Sequence, residues 1–318
     1  MSEPVHKRKR RSQHSPVDLS NMRVALNRLE ALKEELDMIE GTEEELHTIS
    51  EHVLALEIIL KGAKKPKASF SMVTEEDLEK AGVTRKWLHF YPAKVTELVE
   101  GLTADAEVEI ANLHSRIKKI YTHIDVDYGP GSRMILNGIL LALAEIASTQ
   151  ERDVVILPEM KIAQRNGVQI SHPVSGNELW YSNYVVIECE DVSDYKKRFL
   201  ASGFIDALEI SKGCLLIVEA KCQSIKQTFV SFVPEAISQA IAFLKSADLQ
   251  EVRFCLSDGQ TWAFFILKLE NEKLTYYESA PQCLSRAVLE DSDLPLRKIV
   301  QLLCEWLRPT KTDLFRLE

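Results

Sequence analysis

No apolar run in this 318-residue chain is long enough to span a membrane, and its first residues lack the apolar stretch of a signal peptide. A membrane partner is therefore not expected. The six cysteines (189, 214, 222, 255, 283 and 304) form no CxxC pair and match no histidine spacing. This excludes the usual structural zinc patterns and a disulfide framework, and it suits a reducing compartment. The eight histidines form no HExxH or HxH cluster. Glycine-rich phosphate loops are absent too, since "DYGPGS" precedes a helix without the P-loop lysine. Trp87, Trp180, Trp262 and Trp306 are too dispersed for a stacking platform and read as core and loop anchors.

What is present is an ordinary globular composition, 45% hydrophobic and 27% charged, over a length that suits two domains. The net charge is −9, but residues 1–15 carry five basic residues and one acid, which leaves −13 for the rest. An acidic body offers no broad electrostatic surface to nucleic acid, so any such contact must be local or bridged by cations.

Residues 1–18 read as a disordered basic tail. Its run Lys7-Arg8-Lys9-Arg10-Arg11 has the form of a nuclear-import signal and, read more plainly, of a solvated basic end. Residues 19–62 read as a helical pair. Leu29, Leu32, Leu36 and Ile39 follow 3,4,3 spacing, and Leu46, Ile49, Val53, Leu56 and Leu60 repeat it after a break at Gly41-Thr42. Such narrow stripes suit a hairpin or a dimerising coiled coil.

Residues 63–127 read as a linker and helical region. Thr74 and Asp77 have capping-box spacing, and the charge-rich stretch after Pro92 reads as an exposed, connecting helix. From 128 to 318 the texture becomes α/β. An apolar helix "SRMILNGILLALAEIA" precedes the strand "DVVILPEMKIA", and "NYVVIECED" reads as an additional strand. A buried hairpin follows over 203–221, then a helix near 234–247. Two strands, "EVRFCLSD" and "TWAFFILKLE", flank a turn at Asp258-Gly259; "KLTYYES" and a final helix close the chain.

The hairpin "GFIDALEISKGCLLIVEAK" carries the chemistry. Period-two alternation puts Leu215, Ile217, Glu219 and Lys221 on one face and Leu216, Val218 and Ala220 on the other. Glu219 and Lys221 emerge where the strand leaves the core, and Asp206 lies on the neighbouring strand. Two carboxylates brought together unprotonated want a cation between them. Oxygen ligands plus waters suit magnesium, or manganese in its place. A lysine beside them can orient or deprotonate a water, so the implied reaction is attack of metal-polarised water on a phosphodiester. Read as structure alone, Lys221 is simply an ion-pair partner of Asp206 or Glu219.

Asp206 followed by "VEAK" at 218–221 resembles the PD-(D/E)XK nuclease superfamily, with its restriction-endonuclease-like fold. The preceding apolar helix and "LSDGQTWAFFIL" are similar to the version in fungal Crinkler-type effectors, where a "TDG…W.F" hairpin follows the sheet. The resemblance covers roughly residues 130–280 and leaves out the N-terminal helices. It implies a core of helix, three strands, helix and two strands on a mixed sheet; the α-helical, coiled-coil-like region before it rests on the leucine spacing alone. Asp206 matches the central metal aspartate, Glu219 the acid of the (D/E)XK element and Lys221 its lysine. "QAIAF" is similar to the Q-x-x-x-Y element of RecB-like members, with Gln239 in place and Phe243 for tyrosine. Ile205 stands where many members have proline. The additional acidic ligand falls to Glu145 near the end of the helix or Glu159, after Pro158 in the first strand, with Glu159 preferred.

The expected function is a metal-dependent nuclease, with DNA a better expectation than RNA. It would work in the nucleus, reached directly or after secretion or delivery into a host cell, with the cytoplasm as the alternative. The expected partners are an import receptor and a second copy of the chain through the N-terminal helices. The rival reading is a catalytically inactive nuclear scaffold that oligomerises through those helices.

Overall fold

The computed structural model describes residues 29, 53, 70–158, 184–190, 196–197, 215–220, 228–310 and 313–318. The chain divides into two compact units, 1–67 and 68–318. Of the first, Leu29 and Val53 are described; both are helical, and Val53 is buried. The basic tail and the remainder of the leucine-patterned helices lie outside the described residues.

In the second unit nine strands form one mixed sheet. In chain order they are β1 (Thr84–Phe90), β2 (Arg152–Pro158), β3 (Tyr184–Glu190), β4 (Leu215–Ala220), β5 (Glu251–Ser257), β6 (Thr261–Glu270), β7 (Lys273–Ser279), β8 (Gln282–Cys283) and β9 (Phe315–Leu317). Across the sheet the order is β2-β3-β4-β5-β6-β7-β1-β9, with β8 paired to β6. β2, β3 and β4 run antiparallel in sequence, and β5 lies parallel to β4. That parallel step requires a crossover, which residues 221–250 make with the helix α5 (Val233–Ser246). At the far side β1 pairs parallel with β7 and antiparallel with β9.

The other described helices are α1 (Glu75–Lys80), α2 (Pro92–Glu100), α3 (Ala104–His123), α4 (Gly129–Ala147), α6 (Arg286–Asp291) and α7 (Leu294–Leu307). They divide between the faces. Leu136, Ile139 and Leu143 of α4, with Leu303 and Trp306 of α7, join Val186, Val218, Cys255 and Phe264 in one core. Ile237, Ile241 and Leu244 of α5 join Val185, Ile187, Phe254, Leu256 and Phe265 in another. Strands covered on both sides must be apolar at successive positions, which is why "YVVIE" and "FCL" read without alternation. Among the described residues no helix is long and apolar enough to cross a membrane.

Three differences from the sequence reading have physical causes. β3, read as an additional strand, is paired on both edges, between β2 and β4, and Val185, Val186, Ile187 and Cys189 are fully buried. α3, read as an exposed connecting helix, buries Ile110, Leu113, Ile117 and Tyr121 at 3,4,4 spacing. Its many charges occupy the remaining faces. β1 gives no strand signal, because only Leu88 among its seven residues is buried. It brings residues assigned to a linker region into the sheet. The capping box at Thr74 and Asp77 is present as its spacing implies.

Asp258-Gly259 turns the chain between β5 and β6. Gly259 has φ +86, and a Cβ there would lie 2.4 Å from the carbonyl oxygen of Ser132 in α4. Gly82, after α1, has φ +75 but nothing within 4 Å of a Cβ. Gly82→Ala should therefore cost only the left-handed backbone penalty, about 1–2 kcal/mol. Gly259→Ala must also push a helix away from the sheet, so its urea midpoint should fall well below that of Gly82→Ala. Equal midpoints would remove the close approach from the argument.

Glu278 of β7 is buried and ion-paired to Arg85 at 2.8 Å. Burial raises its carboxyl above the ordinary value, and the Arg85 guanidinium offsets only part of that rise. The folded state therefore holds this proton more tightly than the unfolded chain. Its contribution is most favourable at low pH and is lost as pH rises from the unfolded value through the folded one. Relative to Glu278→Gln, the wild type should lose stability between pH 4 and pH 7. Urea unfolding at both pH values measures this, and a gain over that interval would contradict it.

Candidate functional site

Glu219 is the fifth of the six residues of β4. Pairing sets Val218 in register with Tyr184 of β3 and Cys255 of β5, and Glu219 with Leu256. Val218 and Cys255 belong to the α4–α7 core, and Leu256 belongs to the α5 core. Position 219 is thus in register with a residue of the face that α5 covers. Pro158, the last residue of β2, pairs with Tyr184 in the same row. Asp206, Lys221 and Glu159 lie outside the described residues.

The sequence reading gives residues 203–210 as the strand beside 215–221. In the sheet, β3 occupies that antiparallel edge over 215–218 and β5 the opposite edge over 217–220. The neighbour along those residues is therefore β3. Its unbroken apolar sequence explains the pairing, because a strand buried on both faces belongs in the middle of a sheet.

The end of the sheet where β4 finishes is well fixed. Ala220 pairs with Ser257, the last residue of β5. There the Ser257 hydroxyl accepts from the Gly259 N–H at 2.9 Å. Asp258 Oδ1 accepts from the N–H groups of Gln260 at 2.9 Å and Thr261 at 2.6 Å. The turn leans on the N-terminal part of α4 through Gly259 and Ser132. Trp262, fully buried, donates from its indole to the Gly259 carbonyl at 3.3 Å.

Gln239 is the one sequence-predicted site residue whose side chain is described. Periodicity leaves it away from the α5 core stripe, where a solvated position was the plain alternative. It is instead buried, at 4% exposure. α5 is enclosed on all sides, and Ala236, Ile237, Ser238, Ala240, Ile241, Ala242, Phe243 and Leu244 are buried with it. Gln239 Oε1 accepts no hydrogen bond. A buried amide oxygen without a donor is unusual and costs about 1–3 kcal/mol. Phe243, one turn on, fills the α5 core.

Two further groups were not singled out from sequence. Glu235 is buried one turn before Gln239, and only the i,i+4 spacing after Pro234 could have drawn attention to it. Tyr184 donates from its hydroxyl to Asn137 Oδ1 of α4 at 2.8 Å, tying the helix to the row that holds Val218. No local pattern announces a pair 47 residues apart. Glu145 is exposed near the C-terminal end of α4. It stands 13 residues beyond Ser132, about 20 Å along the helix from the end that meets the turn.

A magnesium ion asks for oxygen ligands and retains waters. The orphaned Gln239 Oε1 is an oxygen of that kind. Among the described residues no group of three or more His, Cys, Asp or Glu gathers as a metal site.

The burial of Gln239 yields a stability prediction. Gln239→Leu keeps the volume and removes the unpaired oxygen, so the urea midpoint should rise by the equivalent of about 1 kcal/mol. A lowered midpoint would mean that the amide has a structural partner.

No protein-family model matches the chain, and no curated protein matches it in sequence.

Proposed function

We propose that this protein is a magnesium-dependent nuclease of the PD-(D/E)XK type. Asp206, Glu219 and Glu159 would hold the cation, and Lys221 would act on the attacking water. The observation that carries the reading is Gln239: a buried amide oxygen with no hydrogen-bond donor, on the helix that follows the E-x-K strand. Its helix packs on the same face as Leu256, the register partner of Glu219. The element order also supports it. A helix, three antiparallel strands, a crossover helix, a strand parallel to the third and a further antiparallel strand run from α4 to β6.

A bound magnesium ion would polarise a water toward the phosphorus. The remaining work belongs to the chain. Lys221, two residues after Glu219, would take or orient the proton of that water and offset charge on the phosphate. Gln239 would accept from a water at its amide oxygen, which gives that buried oxygen a donor. The walls of the α5 core would keep bulk solvent from the reacting atoms. In the same reading DNA is the preferred substrate, residues 7–11 engage an import receptor and the chain pairs through its leucine stripes. The location is then nuclear.

The test is cleavage of labelled DNA and RNA with magnesium, manganese or EDTA. Asp206→Asn and Glu219→Gln should abolish metal-dependent cleavage. Lys221→Ala should leave metal affinity within about threefold and slow turnover by ~10²–10⁴-fold, the range of acid–base assistance. Gln239→Leu should lose activity while it gains stability. A wild type that binds no divalent ion and cuts no nucleic acid would end the proposal and leave the scaffold reading in its place.

A further inference from the structure

A second polar anomaly lies on the opposite face of the sheet. Glu188 of β3 pairs with Val154, a residue of the α4–α7 core, and is 4% exposed. Neither of its carboxylate oxygens accepts a hydrogen bond. Arg308 Nη2 and Arg152 Nη1 approach Oε1 at 3.3 and 3.6 Å as ion pairs, and Oε2 accepts no hydrogen bond. Burial of a charge costs several kcal/mol unless paired and hydrogen-bonded groups compensate it, so one acceptor position at the floor of this site is unfilled.

Glu188 lines a cavity of about 200 Å³. Leu102, Ala106, Ile146 and Leu307 supply an aliphatic wall, while Arg308 and Gln301 stand with Glu188 as its polar groups. The Cys304 thiol also faces it, and burial pushes that thiol up to about 12, so it presents no second negative charge at neutral pH. Arg308, about one-third exposed, marks the solvent side; Glu188 marks the depth. The volume is below the usual range for drug-sized ligands, about 300–1,000 Å³, and suits a molecule of roughly ten heavy atoms.

Cation donor at the bottom, aliphatic body along the wall, anion at the mouth: these three demands describe one kind of molecule. We propose that the Glu188 cavity binds a free aliphatic α-amino acid, its ammonium donating to Glu188 Oε2, its carboxylate on Arg308 and its side chain against Leu102, Ala106 and Ile146. An anion alone would meet the buried carboxylate, and an amine alone would meet the arginine. Only the zwitterion satisfies both. The site is separate from the proposed nuclease centre, being on the other face of the sheet, and the proposal stands without that reading.

The test uses the full-length protein in titration calorimetry and thermal unfolding. The probes are leucine, 3-methylbutylamine (no carboxylate) and 4-methylpentanoate (no ammonium). Leucine should bind and raise the unfolding temperature, and each truncated probe should bind at least tenfold more weakly. Glu188→Gln should weaken leucine at least tenfold, since a charge-assisted hydrogen bond is lost. Ala147→Met fills the cavity from α4 and leaves Glu188 in place, so it should also abolish binding if Glu188→Gln does not fold. No binding of leucine, equal binding of either truncated probe, or binding retained in a folded Glu188→Gln or Ala147→Met protein would overturn the proposal.

Discussion

Both faces of the central strands are covered, one by α4 and α7 and the other by α5, and this double covering governs the rest of the molecule. Most described side chains of β3, β4 and β5 are buried, so a polar atom placed among them must find its partner within the protein. The backbone does so through the sheet ladder. Side chains comply almost everywhere by being apolar: Val185, Val186, Ile187, Val218, Phe254, Cys255 and Leu256 are all buried. Against that rule the exceptions carry information. Gln239 and Glu188 are buried polar groups with oxygens that accept no hydrogen bond, one on each side of the sheet. Neither contributes to the apolar packing that would account for its place.

The same covering explains how the turn at Asp258-Gly259 came to be so constrained. β5 ends between two packed layers, and the chain must reverse into β6 without exposing its amides. Asp258 and Ser257 take up those N–H groups locally. Glycine at 259 lets α4 approach closer than any side chain permits. The helix, the turn and the ends of β4 and β5 are thereby joined in one corner.

Much of this architecture was legible from hydrophobic pattern. The continuous apolar runs of β3, β5 and β6 announce buried strands, and the apolar stretch 132–147 announces α4, whose first residues, 129–131, read as loop. What escaped was set by tertiary partners. β1 is a strand because β7 and β9 offer it hydrogen bonds, and its own "TRKWLHF" carries no alternation that says so. α3 reads as exposed because its charges outnumber the narrow 110–113–117–121 stripe that it buries. For the candidate site, the sequence supplied Asp206, Glu219, Lys221 and Gln239 by motif, and Glu159 by position. Burial of Gln239 was not legible, since a helix enclosed on every side has no polar face to read.

The pairing of β1 has a consequence in time. Residues 84–90 lie beside 273–279 and 315–317, so one edge of the sheet joins segments made almost two hundred residues apart. At synthesis rates of about 5–20 residues per second, β1 waits about 10–40 s on the ribosome before its parallel partner exists. During that interval Trp87, Leu88 and Phe90 have no strand to lie against. Closing so long a loop is a slow, late event in folding. Residues 84–90 therefore stay unpaired while most of the sheet they complete is being made.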